Sequence, residues 1–203
     1  MSIFIRKSLL AGILIGLGGF AFLSVKQSFV GAFVFSIGLI SVIILRCNLY
    51  TGKVGYIRKV REIPEILCMC AINLLGAVVV GLGTRPMVGE LAETVVNNKL
   101  TKSDLQTFVS AIICGALIYL AVELYLTIKN ILVIIIPVFV FVATGTDHCI
   151  ANAYYFAAGA TINLSVIKYM LLCIVGNAIG SLIISLLQVK RVPIKKIQAE
   201  LKS

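Results

Sequence analysis

The sequence predicts an all-α membrane protein with six transmembrane helices in two inverted three-helix repeats, the second and fifth helices broken. Three observations predict it. The 203 residues are 60% hydrophobic and only 13% charged, with mean hydropathy +1.09, whereas a soluble domain is about half apolar and a quarter charged. The apolar positions gather into six segments, and six spans of about 20 residues use most of a chain this long. Paired motifs also recur about half the chain apart. These features exclude a disordered, collagen-like or disulfide-stapled secreted chain, and within these residues they leave no room for an attached soluble enzyme.

The first segment, about Ser8 to Val25, follows Arg6 and Lys7 and is rich in small residues such as Gly12, Gly16, Gly18 and Gly19. A basic start before an apolar run resembles a signal peptide, but this run is long for one and five more follow. It is read as a span, preceded by a cytoplasmic N-terminus, residues 1–7. The second runs from Phe29 to Leu45 and meets the polar interruption Arg46 to Gly52, then the basic stretch Lys53 to Arg61. The third starts near Pro64, where proline suits a first helical turn, and ends near Gly83. A polar stretch, Thr84 to Asp104, is expected to separate it from the fourth, about Leu105 to Ile128. The fifth starts at Ile131, breaks at Thr144-Gly145-Thr146-Asp147-His148 and resumes to about Ala160. The sixth spans about Ser165 to Val189, closing a channel domain at 8–189. A basic tail, 190–203, follows it; Ile194, Ile197 and Leu201 among its lysines give it the character of a helix lying on an anionic membrane surface.

The net charge of +10 raises the question of nucleic acid, but the basic residues flank apolar runs and line no polar face, so no nucleic-acid partner is expected. They set orientation instead. With the N-terminus inside, the inner face receives Arg6, Lys7, Lys53, Arg58, Lys59, Arg61, Lys129 and the tail residues Lys190, Arg191, Lys195, Lys196 and Lys202. The outer face receives only Lys26, Arg85, Lys99, Lys102 and Lys168, with Arg46 unassigned. The excess places both termini in the cytoplasm of a multi-pass protein of the cell membrane. The six cysteines, Cys47, Cys68, Cys70, Cys114, Cys149 and Cys173, lack zinc-ligand spacing and read as small apolar packing residues.

Asn73-Leu74-Leu75-Gly76 in the third segment is matched by Asn177-Ala178-Ile179-Gly180 in the sixth, and Thr51-Gly52 after the second by Thr144-Gly145 within the fifth. Three spans per half is odd, so the halves must be inverted. Inverted halves with one broken helix each form a transport architecture with its site at the midplane. The second break holds His148, the only histidine in the chain. An ionisable residue at membrane depth is a functional candidate by default; the alternative is a histidine satisfied by backbone that holds the break together. Asp147 could face the pore or cap the following half-helix, and capping is favoured.

Thr144 to Asn152, with its glycine, acidic residue, histidine and Ile-Ala-Asn, resembles the signature of the formate/nitrite transporter family. Phe35-Ser36-Ile37-Gly38-Leu39-Ile40 followed by Asn48-Leu49-Tyr50-Thr51 is similar to the family's second helix and its Ω-shaped loop. Gly176-Asn177-Ala178-Ile179-Gly180 is similar to its sixth-helix motif, with Asn73 and Gly76 a weaker counterpart in the third. The resemblance runs from the first span to the last. It implies a homopentamer of aquaporin-like protomers, each with its own pore for small monovalent weak-acid anions of the formate, nitrite or hydrosulfide type, linked to protons and needing no cofactor or metal. The resemblance further implies two hydrophobic constrictions flanking a central histidine, which maps to His148. Leu39 and Tyr50 match constriction positions, Leu49 lies beside them, Phe35 and Phe141 match further lining, and Thr51 matches the threonine that hydrogen-bonds the histidine. Asn152 and Asn177 come with the signature motifs, and either Lys99 or Lys102 matches a vestibule lysine before the fourth helix.

The chain departs from that pattern at Tyr50 (commonly phenylalanine), Asn48 (often acidic), Arg46 (an added cation), Gly115 (usually asparagine) and Glu123 (frequently aromatic). Glu123 is expected to snorkel to the interface or meet a neighbouring protomer. Physically, an anion loses several kcal/mol of hydration in an apolar constriction. Taking up a proton removes that charge, and His148 with Thr51 would polarise or protonate the anion, the histidine being neutral at rest and only transiently cationic. Readings from other classes are an intramembrane enzyme, disfavoured because adjacent residues such as His148 and Cys149 do not face each other, a non-transporting scaffold subunit, and a pore for neutral small solutes.

Overall fold

The computed structural model describes residues 1–25 and 28–188; among them there are helices and turns and no strand. In order these are α1 (Ile3–Ser24), α2 (Ser28–Ile44), α3 (Tyr50–Lys53), α4 (Ile63–Leu100), α5 (Asp104–Ile128), α6 (Leu132–Ala143), α7 (Cys149–Ala158) and α8 (Leu164–Leu187). Short 3-10 turns at Val54–Tyr56 and Val60–Glu62 join α3 to α4. Helices α1, α4, α5 and α8 are long and apolar enough to cross a membrane, while α2 and α6 are shorter apolar helices. Each short one stops at a break and is followed by a stub, α3 or α7.

Local chemistry sets the helix starts. The Ser2 hydroxyl accepts the Ile5 N–H at α1, Ser103 and Gln106 exchange bonds in a capping box at α5, and the Asn163 side chain accepts the Val166 N–H at α8. Pro64 stands in the first turn of α4, where its missing N–H costs nothing.

Helix α1 packs along α4 and α2, α5 along α8 and α6, α2 meets α6, and α4 runs beside α7. Small residues make the contacts. A Cβ on Gly12 would strike the Asn73 carbonyl and one on Gly76 the Leu9 carbonyl, and Gly115 and Gly180 stand in the same relation to Asn177 and Ile112. Large apolar side chains such as Leu17, Leu75, Ile113 and Leu171 face outward, the reverse of a soluble bundle and the pattern of helices that approach closely through small residues in lipid.

Several boundaries differ from those the sequence predicts. Residues Thr84 to Leu100 continue α4 instead of leaving it. Val88, Ala92, Val96 and Lys99 are buried at helical spacing, and Gly89 approaches the Ala158 carbonyl at the end of α7, so the polar residues between them form the outer face of one long helix. Helix α1 begins at Ile3, so most of the expected N-terminal segment 1–7 is helical. Helix α8 ends at Leu187; Val189 and the basic tail 190–203 lie outside the described residues, as does Lys26.

Candidate permeation pathway

Two buried asparagines hold the two breaks in the same way. At the first, the Asn73 Oδ1 accepts the Tyr50 N–H at 2.7 Å, and its Nδ2 donates to the carbonyls of Asn48 (2.9 Å) and Ser8 (2.6 Å). At the second, the Asn177 Oδ1 accepts the Cys149 N–H at 2.9 Å, and its Nδ2 donates to Asp147 (2.8 Å) and Ala111 (2.7 Å). Backbone left unpaired by a helix break is tolerated at membrane depth only when protein satisfies it, and these two side chains do so. Asn177, expected to line the pore, thus has its amide taken up by backbone.

The stubs meet through His148 and Thr51. Nε2 of His148 lies 2.9 Å from Thr51 Oγ1, and Nδ1 accepts the Ala151 N–H at 3.1 Å. An accepting Nδ1 leaves the proton of a neutral imidazole on Nε2, so the ring donates to Thr51 and leaves the threonine hydroxyl hydrogen for another acceptor. The Phe141 ring stacks on His148 at 5.8 Å between centroids, and Phe35 meets Phe141 edge-on at 5.5 Å. Phe35, Leu39, Thr51 and His148 are all almost wholly buried.

His148, not Asp147, caps α7. The Asp147 carboxylate instead anchors a polar cluster: Lys99 donates to Oδ1 at 2.8 Å, Lys102 to Oδ2 at 2.8 Å and Ser110 to Oδ2 at 2.6 Å, with Tyr169 donating to Oδ1 as well. Asn152 Nδ2 lies 3.4 Å from the same Oδ1. Lys102 also donates to the Gly145 carbonyl at 2.8 Å, tying the break from outside. Two ammonium groups on one carboxylate leave a net positive charge here. Both candidate vestibule lysines therefore reach the same anion.

Two cavities approach this region. One, of about 270 Å³, is bordered by Lys99, Lys102, Phe141, Thr146, His148, Asn152 and Tyr155, among others. The other, of about 650 Å³, is bordered by Val42, Arg46, Leu49, Lys53, Glu62 and Glu65, among others. Phe35, Leu39, Tyr50, Thr51 and Asn177 border neither. The Tyr50 hydroxyl donates to the Ile174 carbonyl at 3.0 Å, and Lys53 donates to Asn48 Oδ1 at 2.7 Å.

Glu123 does not snorkel: it is 4% exposed, accepts from Tyr56 at 2.6 Å and from Gln188 at 2.9 Å, and so links α5 to the loop after α3 and to the end of α8. Sequence reasoning missed Ser110 and Tyr169, which reach Asp147 from α5 and α8 without a motif of their own. It also missed the aromatic wall of Phe22 and Tyr155 in the smaller cavity.

The formate/nitrite transporter family model matches residues 1–190, and the chain belongs to that family, one of transporters and not enzymes; it is a multi-pass membrane protein. It is 33% identical over 155 residues to the uncharacterized transporter YrhG of Bacillus subtilis, covering 65% of this chain and 58% of that one. To the formate channel FocA of Haemophilus influenzae it is 26% identical over 151 residues, 64% of this chain and 53% of the relative. The chain thus matches little more than half the length of these relatives. Among solved structures, an FNT family ion channel superposes with TM-score 0.79 at 22% identity, covering 97% of this chain and 89% of that one. A pentameric formate channel with formate bound gives 0.75 at 21%, covering 97% and 95%.

Proposed function

We propose that the chain is a channel for small monovalent weak-acid anions of the formate type, moved together with a proton. The pathway runs from the smaller cavity past Phe141 and His148–Thr51, through the Phe35 and Leu39 layer, to Leu49 and the larger cavity. The observation that carries the reading is the 2.9 Å contact between His148 and Thr51, a polar link between the two stubs set between the two cavities. A net-positive cluster at Lys99, Lys102 and Asp147 recruits the anion. Charge is removed by protonation before the apolar layer, where a bare anion would be costly. His148 acts as a hydrogen-bond donor, relayed by Thr51, because placing a second proton on Nδ1 would break its cap on Ala151. The proton therefore comes from water in the cavity. Each protomer carries its own pathway, six spans in two inverted halves, and five assemble with both termini in the cytoplasm.

Reconstituted vesicles tested with formate, nitrite, hydrosulfide, acetate and lactate at two pH values decide the matter. Uptake that rises as external pH falls, for at least one of these anions, is expected. A flat response across the panel, or flux of neutral solutes indifferent to an imposed pH gradient, would overturn the reading.

A further inference from the structure

A third cavity, of about 460 Å³, lies where α1 begins and α2 ends and adjoins the larger pathway cavity, with which it shares Cys47. Leu9, Leu10, Ile13 and Leu45 form its apolar wall, and Arg6 and Lys7 stand at its rim. Among the described residues neither side chain has a hydrogen bond or an ion pair, although Lys99, Lys102 and Lys168 all have carboxylate partners. Among the described residues no carboxylate borders the cavity, whereas Glu62 and Glu65 border the larger pathway cavity.

The rim sits at headgroup depth. Helix α1 has 22 residues, about 33 Å at 1.5 Å per residue, close to the roughly 30 Å hydrocarbon thickness, and Arg6 and Lys7 fall in its first turns. The apolar wall therefore faces acyl chains while the two cations lie level with lipid phosphates. Leu10 and Leu45 are among the exposed large apolar residues, so the groove opens on the side from which a lipid arrives. A guanidinium grips a phosphate through paired N–H bonds, and the neighbouring ammonium adds a point charge.

We propose that this cavity is a binding site for an anionic phospholipid, with an acyl chain along Leu9, Leu10, Ile13 and Leu45 and the phosphate held by Arg6 and Lys7. The site stands apart from the anion reading and survives its failure. Full-length protein would be purified in detergent with phosphatidylglycerol or phosphatidylcholine, and retained lipid counted by native mass spectrometry. Wild type should retain phosphatidylglycerol over phosphatidylcholine. The double substitution Arg6→Gln with Lys7→Gln should weaken retention roughly thirtyfold, taking each basic residue near the surface at its usual contribution. Ile13→Trp, which fills the groove and keeps both charges, should lower retention as well. Size-exclusion profiles would check that each variant remains assembled. Equal retention of the two lipids by wild type, unchanged retention in the double variant, or no retained lipid because a second protomer covers the groove would each overturn the proposal.

Discussion

The two helix breaks share a frame and differ in chemistry. Asn73 and Asn177 make corresponding bonds, so Asn48, Leu49 and Tyr50 at one break stand where Asp147, His148 and Cys149 stand at the other. A side-chain bond spans five residues in each, Lys53 to Asn48 at the first and Asn152 to Asp147 at the second. The first break thus presents an apolar residue and a cation on a neutral partner. The second presents an imidazole and an anion held by two lysines. The frame is a matter of backbone satisfaction and tolerates little change. The residues hung on it differ, and the proposed pathway assigns recognition to them.

The frame itself should show the largest effect when broken. Asn73→Ala and Asn177→Ala each orphan a buried N–H and a buried carbonyl at a break, at about 1–3 kcal/mol per group. Thermal unfolding of the detergent-solubilised protein should fall markedly and to a similar extent for both. A large loss at one with none at the other would end the equivalence of the breaks.

Making the breaks chemically alike comes next. His148→Leu gives the second break the residue of the first. Loss of a preorganised donor typically costs about 100-fold or more in rate, whereas the lost cap costs only about 1 kcal/mol of stability. Uptake in vesicles should collapse while assembly by size exclusion persists. Undiminished proton-linked uptake would remove His148 from the pathway.

These differences were unequally legible in the sequence. The breaks could be read because Arg46 to Gly52 and Thr144 to His148 interrupt long apolar runs, and the asparagines because each precedes a glycine at the same spacing. The expected pairing of Thr51-Gly52 with Thr144-Gly145 does not hold, since Thr51 and Gly52 lie in α3, past their break, whereas Thr144 and Gly145 lie before α7. The continuation of α4 was hidden by Arg85, Glu90, Glu93 and Asn97, which lower hydropathy without ending a helix, although the apolar spacing of Val88, Ala92 and Val96 persisted through them. The partners of Asp147 could not be read, since Lys99, Ser110 and Tyr169 converge from three helices and only the fold brings them together. Gly115, a departure from the family pattern, acquires a reason only in three dimensions: a side chain there would collide with the Asn177 backbone.

The charges at the two breaks should give intermediate effects. Lys99→Met leaves Asp147 neutralised by Lys102 alone and removes the net positive charge, so uptake from that side should fall about tenfold at low ionic strength and less at high salt. Lys102→Met should do less, because its side chain is 27% exposed against 10% for Lys99. Asn48→Asp neutralises Lys53 and should lower uptake several-fold from the other side only, read by reversing the imposed gradient. Equal effects from both directions would mean that the two cations do not act locally.

Tyr50→Phe should give the smallest effect, and it separates the frame from the pathway. Tyr50 occupies the position of Cys149 at the other break, and its ring is 2% exposed. Its hydroxyl donates to the Ile174 carbonyl of α8 at 3.0 Å and so is directed at a helix wall. That carbonyl lies within α8, where the helical N–H four residues on still serves it, so removing the hydroxyl orphans no buried group and costs about 1 kcal/mol. Thermal unfolding should shift slightly, with uptake and its pH dependence within twofold of wild type. A several-fold change in uptake with unaltered stability would place the hydroxyl in the pathway and give the first break a polar group one residue beyond the position that His148 holds at the second.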